Sequence, residues 1–167
     1  MRGSFLVAIS LLLVGCHHRK PAVSDADFEA FRAYNPGATQ WCLDDYRYGG
    51  PGALPLRTSD CYEMLPDQHW SGLWNSGWEW SIFCPAPAQS CPQSASNGGI
   101  ALEFSERAPP EVPISNGMLF RVQFIGRRTK EPGHYDHLGQ YKHVVVVDRM
   151  ISIKRVDSPP QRGGMNG

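Results

Sequence analysis

The stretch GMLFRVQFIGRRTKEPGHYDHLGQYKHVVVVDRMISIKRV, residues 117–156, decides the fold of this chain. In its first part, Phe120, Val122 and Phe124 alternate with polar residues, which is the period-two pattern of a half-buried strand. In its second part, residues 144–147 are all valine, so we expect a central strand that is covered on both faces. The loop between them is rich in glycine, histidine, tyrosine and charge. It is therefore the first candidate for a functional site.

Length and composition fit one globular domain. The chain has 167 residues, with 16 Lys and Arg against 16 Asp and Glu, so its formal net charge is zero. That length is sufficient to bury an autonomous core. The balanced charge argues against nucleic-acid binding, which needs a basic surface to displace counterions. The chain has 17 glycines and 14 prolines and no long helix-period pattern, so we expect strands and turns.

The N-terminus carries a signal for export. Arg2 precedes an apolar run over residues 5–14, which is too short to span a bilayer stably. The run ends in a tetrapeptide that resembles the lipobox of bacterial lipoproteins, Leu13-Val14-Gly15-Cys16. An ordinary cleaved secretory signal, in which the cysteine is incidental, is the alternative.

The lipobox resemblance implies where the protein resides. Cys16 would be acylated and begin the mature chain, after a signal peptide over residues 1–15 and ahead of a polar tether over residues 16–23. Each buried acyl CH₂ group contributes about 0.8 kcal/mol, so a multiply acylated cysteine holds a protein on a bilayer essentially permanently. In such lipoproteins an aspartate after the cysteine is typical of inner-membrane retention, whereas this chain has His17. We therefore expect a lipid-anchored cell-envelope protein at the outer membrane, facing the periplasm, with the lipid bilayer as a partner.

The other four cysteines predict a disulfide framework. An even number in an exported chain is typical of paired cysteines, and four allow three connectivities. We expect Cys42–Cys61 and Cys84–Cys91, because each pair brackets a loop rich in proline or glycine. A zinc site is the alternative, although the sequence has no Cys-x-x-Cys pair.

Local patterns predict one helix, and it lies near the start of the mature chain. Ser24 has the character of an N-cap, acidic residues follow it in the first turn, and Phe28 and Phe31 have helical spacing, so we expect a helix to about Tyr34. We expect residues 39–66 to be irregular, because they include the breaker sequence Gly49-Gly50-Pro51-Gly52.

The strand pattern predicts a mainly β domain over residues 24–156, followed by a disordered tail over residues 157–167. We expect a small OB-like β-barrel with one short N-terminal helix and two disulfides. An immunoglobulin-like β-sandwich is the alternative, but it normally needs about seven strands. The expected strands are 78–83, 100–105, 119–127, 143–148 and 151–156, and the last two can form one strand bent by a bulge.

The C-terminal pattern Gly-Arg-Arg … Pro-Gly-His … His-Leu-Gly … Val-Val-Val-Val-Asp-Arg, which begins at Gly126, resembles the end of small bacterial barrel lipoproteins of unassigned function. The resemblance covers about a quarter of the chain. It implies a barrel and brings no catalytic residues with it.

Tryptophans are concentrated between residues 70 and 80. Most such side chains belong to a core, because tryptophan has the largest apolar area of any residue. Trp74 is flanked by Gly72 and Gly77, which favours a turn, so we expect it to be the most exposed of the four. An exposed tryptophan can stack on a sugar ring, and Trp74 is accordingly a candidate for glycan binding.

The loop between the last two long strands supplies the other candidate binding residues. They are the charged, histidine and tyrosine side chains Arg127, Arg128, His134, Tyr135, His137 and Tyr141. The metal-type ligands His134, Asp136, His137 and His143 lie within ten residues, but their spacing matches no zinc motif. Two other interpretations remain open: histidines and tyrosines that pack over the barrel end, or arginines that meet an anionic partner.

The sequence therefore predicts a non-enzymatic envelope lipoprotein that binds a protein partner or supports an envelope assembly. It contains no Gly-x-Ser-x-Gly elbow and no phosphate-binding glycine loop, and we expect no cofactor. A glycan or peptidoglycan binder that uses an exposed tryptophan is the first alternative. A metal-dependent hydrolase that uses the loop histidines is the second.

Overall fold

The computed structural model describes residues 20–77, 80–92, 98–105, 117–135 and 139–156. Within these residues the chain is mainly β, and its strands close into a barrel in the order β1-β2-β3-β5-β4. The strands are β1 (Gln68–Ser76), β2 (Ser81–Pro85), β3 (Gly99–Phe104), β4 (Met118–Arg128) and β5 (Tyr141–Arg155).

The strand pairing is that of an OB-type barrel. Neighbouring strands are antiparallel except for β3 and β5, which run parallel with Leu102 opposite Val145. A barrel with this order has a pairing partner on both sides of every strand, whereas two sheets packed face to face would leave edges. The OB-like prediction is confirmed, and the immunoglobulin-like alternative is wrong.

The barrel interior is an aromatic core. Trp74 stacks on Phe120 with ring centroids 5.2 Å apart, and Phe83 meets Phe124 edge-on at the same separation. The polar end of Trp74 is satisfied as well, because its Nε1 donates to Ser81 Oγ at 3.0 Å. These large side chains fill the closed sheet, so the barrel is a packed core.

The four valines of β5 are buried on both faces of the sheet, as the sequence predicts. Val145 and Val147 belong to the barrel interior. Val144 and Val146 belong to a second cluster on the outer surface of the barrel, where Tyr62 and other residues of the N-terminal segment cover them. The outer surface of β5 is therefore a second core.

The predicted last strands form one strand, because β5 runs through the whole of residues 141–155. Its pairing with β4 shifts register between Gln123 and Phe124 and again between Ile125 and Gly126. Such irregularities bend a strand and increase its twist. The predicted bulge is confirmed.

The N-terminal segment has more helix than we expected. Helix α1 (Asp25–Tyr34) is confirmed, and Ser24 caps it by accepting a hydrogen bond from Asp27 N at 3.2 Å. The prediction that residues 39–66 are irregular is wrong. They form α2 (Gln40–Gly49), a 3₁₀ turn (Pro51–Ala53) and α3 (Thr58–Cys61).

Helix α2 forms because Thr39 caps it and because the breaker cluster starts only at its last residue, Gly49. The Thr39 hydroxyl accepts from Cys42 N at 3.3 Å. Gly50, with φ +77°, then ends the helix in a conformation that glycine adopts without strain. The cluster of glycine and proline therefore marks the end of a helix, where we expected a long loop.

Strand β1 replaces the turn predicted around Trp74. Gly72 lies inside this strand, and a Cβ there would collide with the carbonyl oxygen of Cys84 on β2. The glycine thus permits a close approach of two strands. Trp74 is only 1% exposed, so the prediction that it is exposed is wrong.

Both predicted disulfides are confirmed. Cys42–Cys61 joins α2 to α3, and Cys84–Cys91 closes a short loop after β2. Among the described residues, no helix has the length and apolar character needed to cross a membrane.

Candidate functional site

The outer surface of β2, β3 and β5 is covered by the chain itself. Ile82, Ala101 and Val144 form this surface, and Tyr62, Met64 and Tyr135 pack over it. In OB-folds, the face of the second and third strands is the usual site for oligonucleotides and oligosaccharides. Here that face is occupied by residues of the same protein, so the candidate site lies at the margin of the cover.

An apolar cleft of about 480 Å³ opens where the segment from Leu54 to Tyr62 leaves the barrel wall. Ala101, Leu102 and Val144 contribute the wall side. The opposite side is held in place by Cys42–Cys61, because Cys61 ends α3 and lines the cleft. The disulfide therefore shapes the cleft in addition to cross-linking the helices.

A polar cleft of about 530 Å³ adjoins it and shares Arg57 and Glu103 with it. The charged side chains that line the polar cleft come from α3, the residue before it and four strands or their ends: Arg57, Asp60, Asp67, Glu103, Arg127 and Asp148. Four carboxylates against two guanidinium groups leave a formal charge of 2 − 4 = −2. This charge favours a cationic ligand.

One of the two cations is already neutralised. Arg127 Nε and Nη2 each donate to a separate oxygen of Asp148 at 2.8 Å, which is the two-pronged geometry that guanidinium and carboxylate groups prefer. The hydrogen bonds that Arg127 donates to Asp148 raise the pKa of Arg127 above its ordinary value. The pair carries no net charge, so the negative potential of the cleft arises from its other carboxylates.

Glu103 is a half-buried carboxylate in the wall of the polar cleft. One oxygen accepts from Thr58 N at 3.3 Å, so the barrel wall is tied to the start of α3. Burial raises the pKa of this carboxyl above its usual value, and nearby Asp60 raises it further, against the opposing effect of the Thr58 hydrogen bond. An anion held in a partly dry cleft is stabilised by a cation that enters beside it.

The predicted loop residues are dispersed over different surroundings. Tyr135 and Tyr141 are each 3% exposed and belong to the outer cluster, so they are structural. His134 is exposed and stacks on Tyr34 of α1 with ring centroids 4.3 Å apart. His137 lies outside the described residues, as does Asp136. Of the predicted binding residues, Arg127 is the one that lines the polar cleft.

The remaining predicted loop residues that the structure describes are His143 and Arg128. His143 Nδ1 lies 3.2 Å from both the hydroxyl and the carbonyl oxygen of Thr129. Burial lowers the pKa of His143, and Arg128 lowers it further. Arg128 Nε is buried and has no hydrogen-bond partner among the described residues. Across the part of the chain that the structure describes, no three His, Cys, Asp or Glu side chains are grouped as a metal site.

The exposure of two apolar side chains was not predicted from the sequence. Trp41 is 56% exposed on α2, and Leu56 is fully exposed before α3. A helical interpretation of residues 40–49 would have found Trp41, because consecutive residues on a helix point about 100° apart and the neighbouring Cys42 is buried by its disulfide.

Comparison of the chain with family models, with curated proteins and with solved structures gives no match.

Proposed function

We propose that this chain is a lipid-anchored protein of the cell envelope that binds a partner protein and catalyses no reaction. The site is the polar cleft with its apolar neighbour, and its ligand is a partner segment in which a basic side chain stands beside an apolar one. The observation that carries the proposal is the excess of carboxylates around a cleft that also has an apolar half.

Features of the sequence and of the structure both support the anchor. The apolar run and the lipobox at Cys16 are the pattern of a lipoprotein leader. Two disulfides fit an oxidising compartment outside the cytosol. Ala22 N donates to Arg47 O at 2.8 Å, which ties the chain to the domain six residues after Cys16, so the domain needs only a short connection to a membrane.

The cleft is supported as a peptide site by its chemistry. Glu103 and Asp60 place negative charge beside Ser59. Tyr62 and Ala101 continue the cleft with apolar surface. A Lys or Arg side chain on the partner would neutralise a carboxylate that is already partly desolvated. A sugar ring cannot stack on Trp74, because the residues of the barrel core cover its indole ring.

The anchor is tested by expressing the full chain with its leader in a bacterium and isolating membranes. We expect the wild-type protein in the membrane fraction, with the mass of an acylated Cys16 on its N-terminal peptide. The Cys16→Ser variant should lose both. Wild-type protein whose N-terminal peptide carries no acyl group would contradict the anchor.

The cleft is tested by photocrosslinking in living cells. A photoreactive amino acid at Ser59, which lines the polar cleft, should give one discrete crosslinked product. The same group at Arg149, which is exposed on β5, is the matched control and should give none. Charge reversal by Glu103→Lys should abolish the product at Ser59. A product that persists in that variant would assign the contact to another feature.

A further inference from the structure

We propose that the loop over residues 51–56, Pro-Gly-Ala-Leu-Pro-Leu, lies against the bilayer and inserts Leu56 into its interfacial region. The inference rests on the proposed anchor at Cys16, and it adds a second membrane contact that orients the domain. Three observations carry it: the place where the tether joins the domain, the position of the loop beside that place, and the composition of the loop.

The tether joins the domain at the C-terminal end of α2. Ala22 N donates to the carbonyl oxygen of Arg47 at 2.8 Å, and Val23 N donates to the same oxygen at 3.4 Å. The Arg47 side chain also pairs with Asp25 at 2.7 Å and lies 4.6 Å from the centre of the Phe28 ring. The chain is thus held at its entry by backbone and side-chain contacts.

This attachment leaves little chain between the lipid and the domain. From Cys16 to Ala22 there are 22 − 16 = 6 residue steps, which span at most about 20 Å when fully extended. The end of α2 that carries Arg47 therefore lies within about 20 Å of the membrane surface once Cys16 is acylated and its lipid is embedded.

The 51–56 loop begins at the same end of α2. Gly50 N donates to Tyr46 O at 2.9 Å to close the last turn of the helix. Ala53 N then donates to Gly50 O at 3.1 Å, and Leu54 N donates to Pro51 O at 3.4 Å. These turns hold the start of the loop next to the helix end that holds the tether.

The composition of the loop suits a lipid surface. It contains no charged residue, and Pro51, Gly52, Ala53 and Leu56 are exposed. Leu56 is fully exposed, so its apolar area contributes nothing to the stability of the fold. The tether sequence includes Arg19 and Lys20, which place cationic groups beside the apolar loop where lipid headgroups would lie.

The test uses the full chain, purified in detergent and reconstituted into vesicles of phosphatidylethanolamine and phosphatidylglycerol. Flotation of the vesicles reports the anchor. Amide hydrogen exchange of the peptide that spans residues 52–57 reports the loop. We expect this peptide to exchange about tenfold more slowly on vesicles than in the soluble Cys16→Ser variant, because a membrane contact removes solvent from its amides.

Variants separate the loop from other exposed apolar residues. Leu56→Asp should float as the wild type does but lose the slow exchange, whereas Ile151→Asp, at an exposed position on β5, should keep it. Both positions are exposed, so the melting temperature of each variant should stay near that of the wild type.

Every other result overturns the proposal in a distinguishable way. A wild-type protein that floats with an unprotected loop would retain the anchor and exclude the loop contact. Slow exchange that persists in Leu56→Asp, or that appears at Trp41 in place of the loop, would assign the membrane contact elsewhere. Failure of the wild type to float would overturn the anchor, and the loop contact with it.

Discussion

Arg127 of β4 and Asp148 of β5 are joined by two hydrogen bonds of 2.8 Å, one to each carboxylate oxygen. The side chains are 35% and 29% exposed, so solvent screens the pair and its contribution to stability is modest. The fixed geometry places it at the upper end of the range for surface pairs, which we take as about 1 kcal/mol.

A double-mutant cycle measures this coupling. We expect Arg127→Met and Asp148→Asn each to lower the free energy of unfolding, and the double variant to lose about 1 kcal/mol less than the sum of the two. Urea denaturation of the four proteins gives the coupling directly. Additive losses would show that the pair orders the wall of the cleft without stabilising the domain.

The buried tryptophan and the exposed tryptophan should respond oppositely to the same substitution. Trp74→Phe removes the hydrogen bond to Ser81 and leaves a void beside Phe120, so we expect a loss of about 1–3 kcal/mol in the free energy of unfolding. Trp41→Phe is the matched control and should change it by less than about 0.5 kcal/mol. Equal losses would contradict the assignment of Trp74 to the core.

Strands β4 and β5 could be predicted because each carries a local signal. Phe120, Val122 and Phe124 alternate, and the valines of β5 are apolar on both faces; both patterns report burial directly. Strand β1 lacks such a signal. Gly72 has the character of a turn residue in sequence, and only the neighbouring backbone of Cys84 shows that it is needed inside a sheet.

The candidate site could be predicted only in part, because it is assembled from residues far apart in the chain. Arg127 was predicted from its loop, but Glu103 lies within the predicted strand 100–105 and has no sequence signal of its own. Its role depends on the 54–62 segment, which meets β3 through the hydrogen bond from Thr58 N to Glu103 at 3.3 Å. Sequence spacing contains no information on which strand such a segment will cross.

The two disulfides should differ in what their removal does. Cys42→Ser with Cys61→Ser opens a loop of sequence separation 19, which the chain-entropy model values at about 3 kcal/mol, against about 2.5 kcal/mol for the separation of 7 between Cys84 and Cys91. Chemical denaturation measures both losses. Because Cys61 lines the apolar cleft, we also expect the first double variant, and not the second, to weaken the crosslink at Ser59.

The pH dependence of stability should reveal Glu103. Burial is the main cause of the raised pKa of this carboxyl, so the folded protein holds the Glu103 proton more tightly than the unfolded chain. Its contribution to stability is fully present below the unfolded pKa, about 4.3, and is lost as pH rises through the folded pKa. At neutral pH, ionised Glu103 therefore gives a lower free energy of unfolding than the protonated side chain would.

Glu103→Gln removes this titration while it keeps an oxygen that can accept from Thr58 N. Relative to the wild type, the variant should gain stability between pH 4 and pH 7, as measured by urea denaturation at both values. Glu29→Gln, at an exposed position on α1, is the matched control and should show no such gain.

In the same pH interval the wild-type cleft acquires the charge that holds a cationic partner, so the crosslink at Ser59 should be stronger at pH 7 than at pH 4. A variant that is more stable and yet crosslinks as well as the wild type would show that the charge of Glu103 does not serve partner binding.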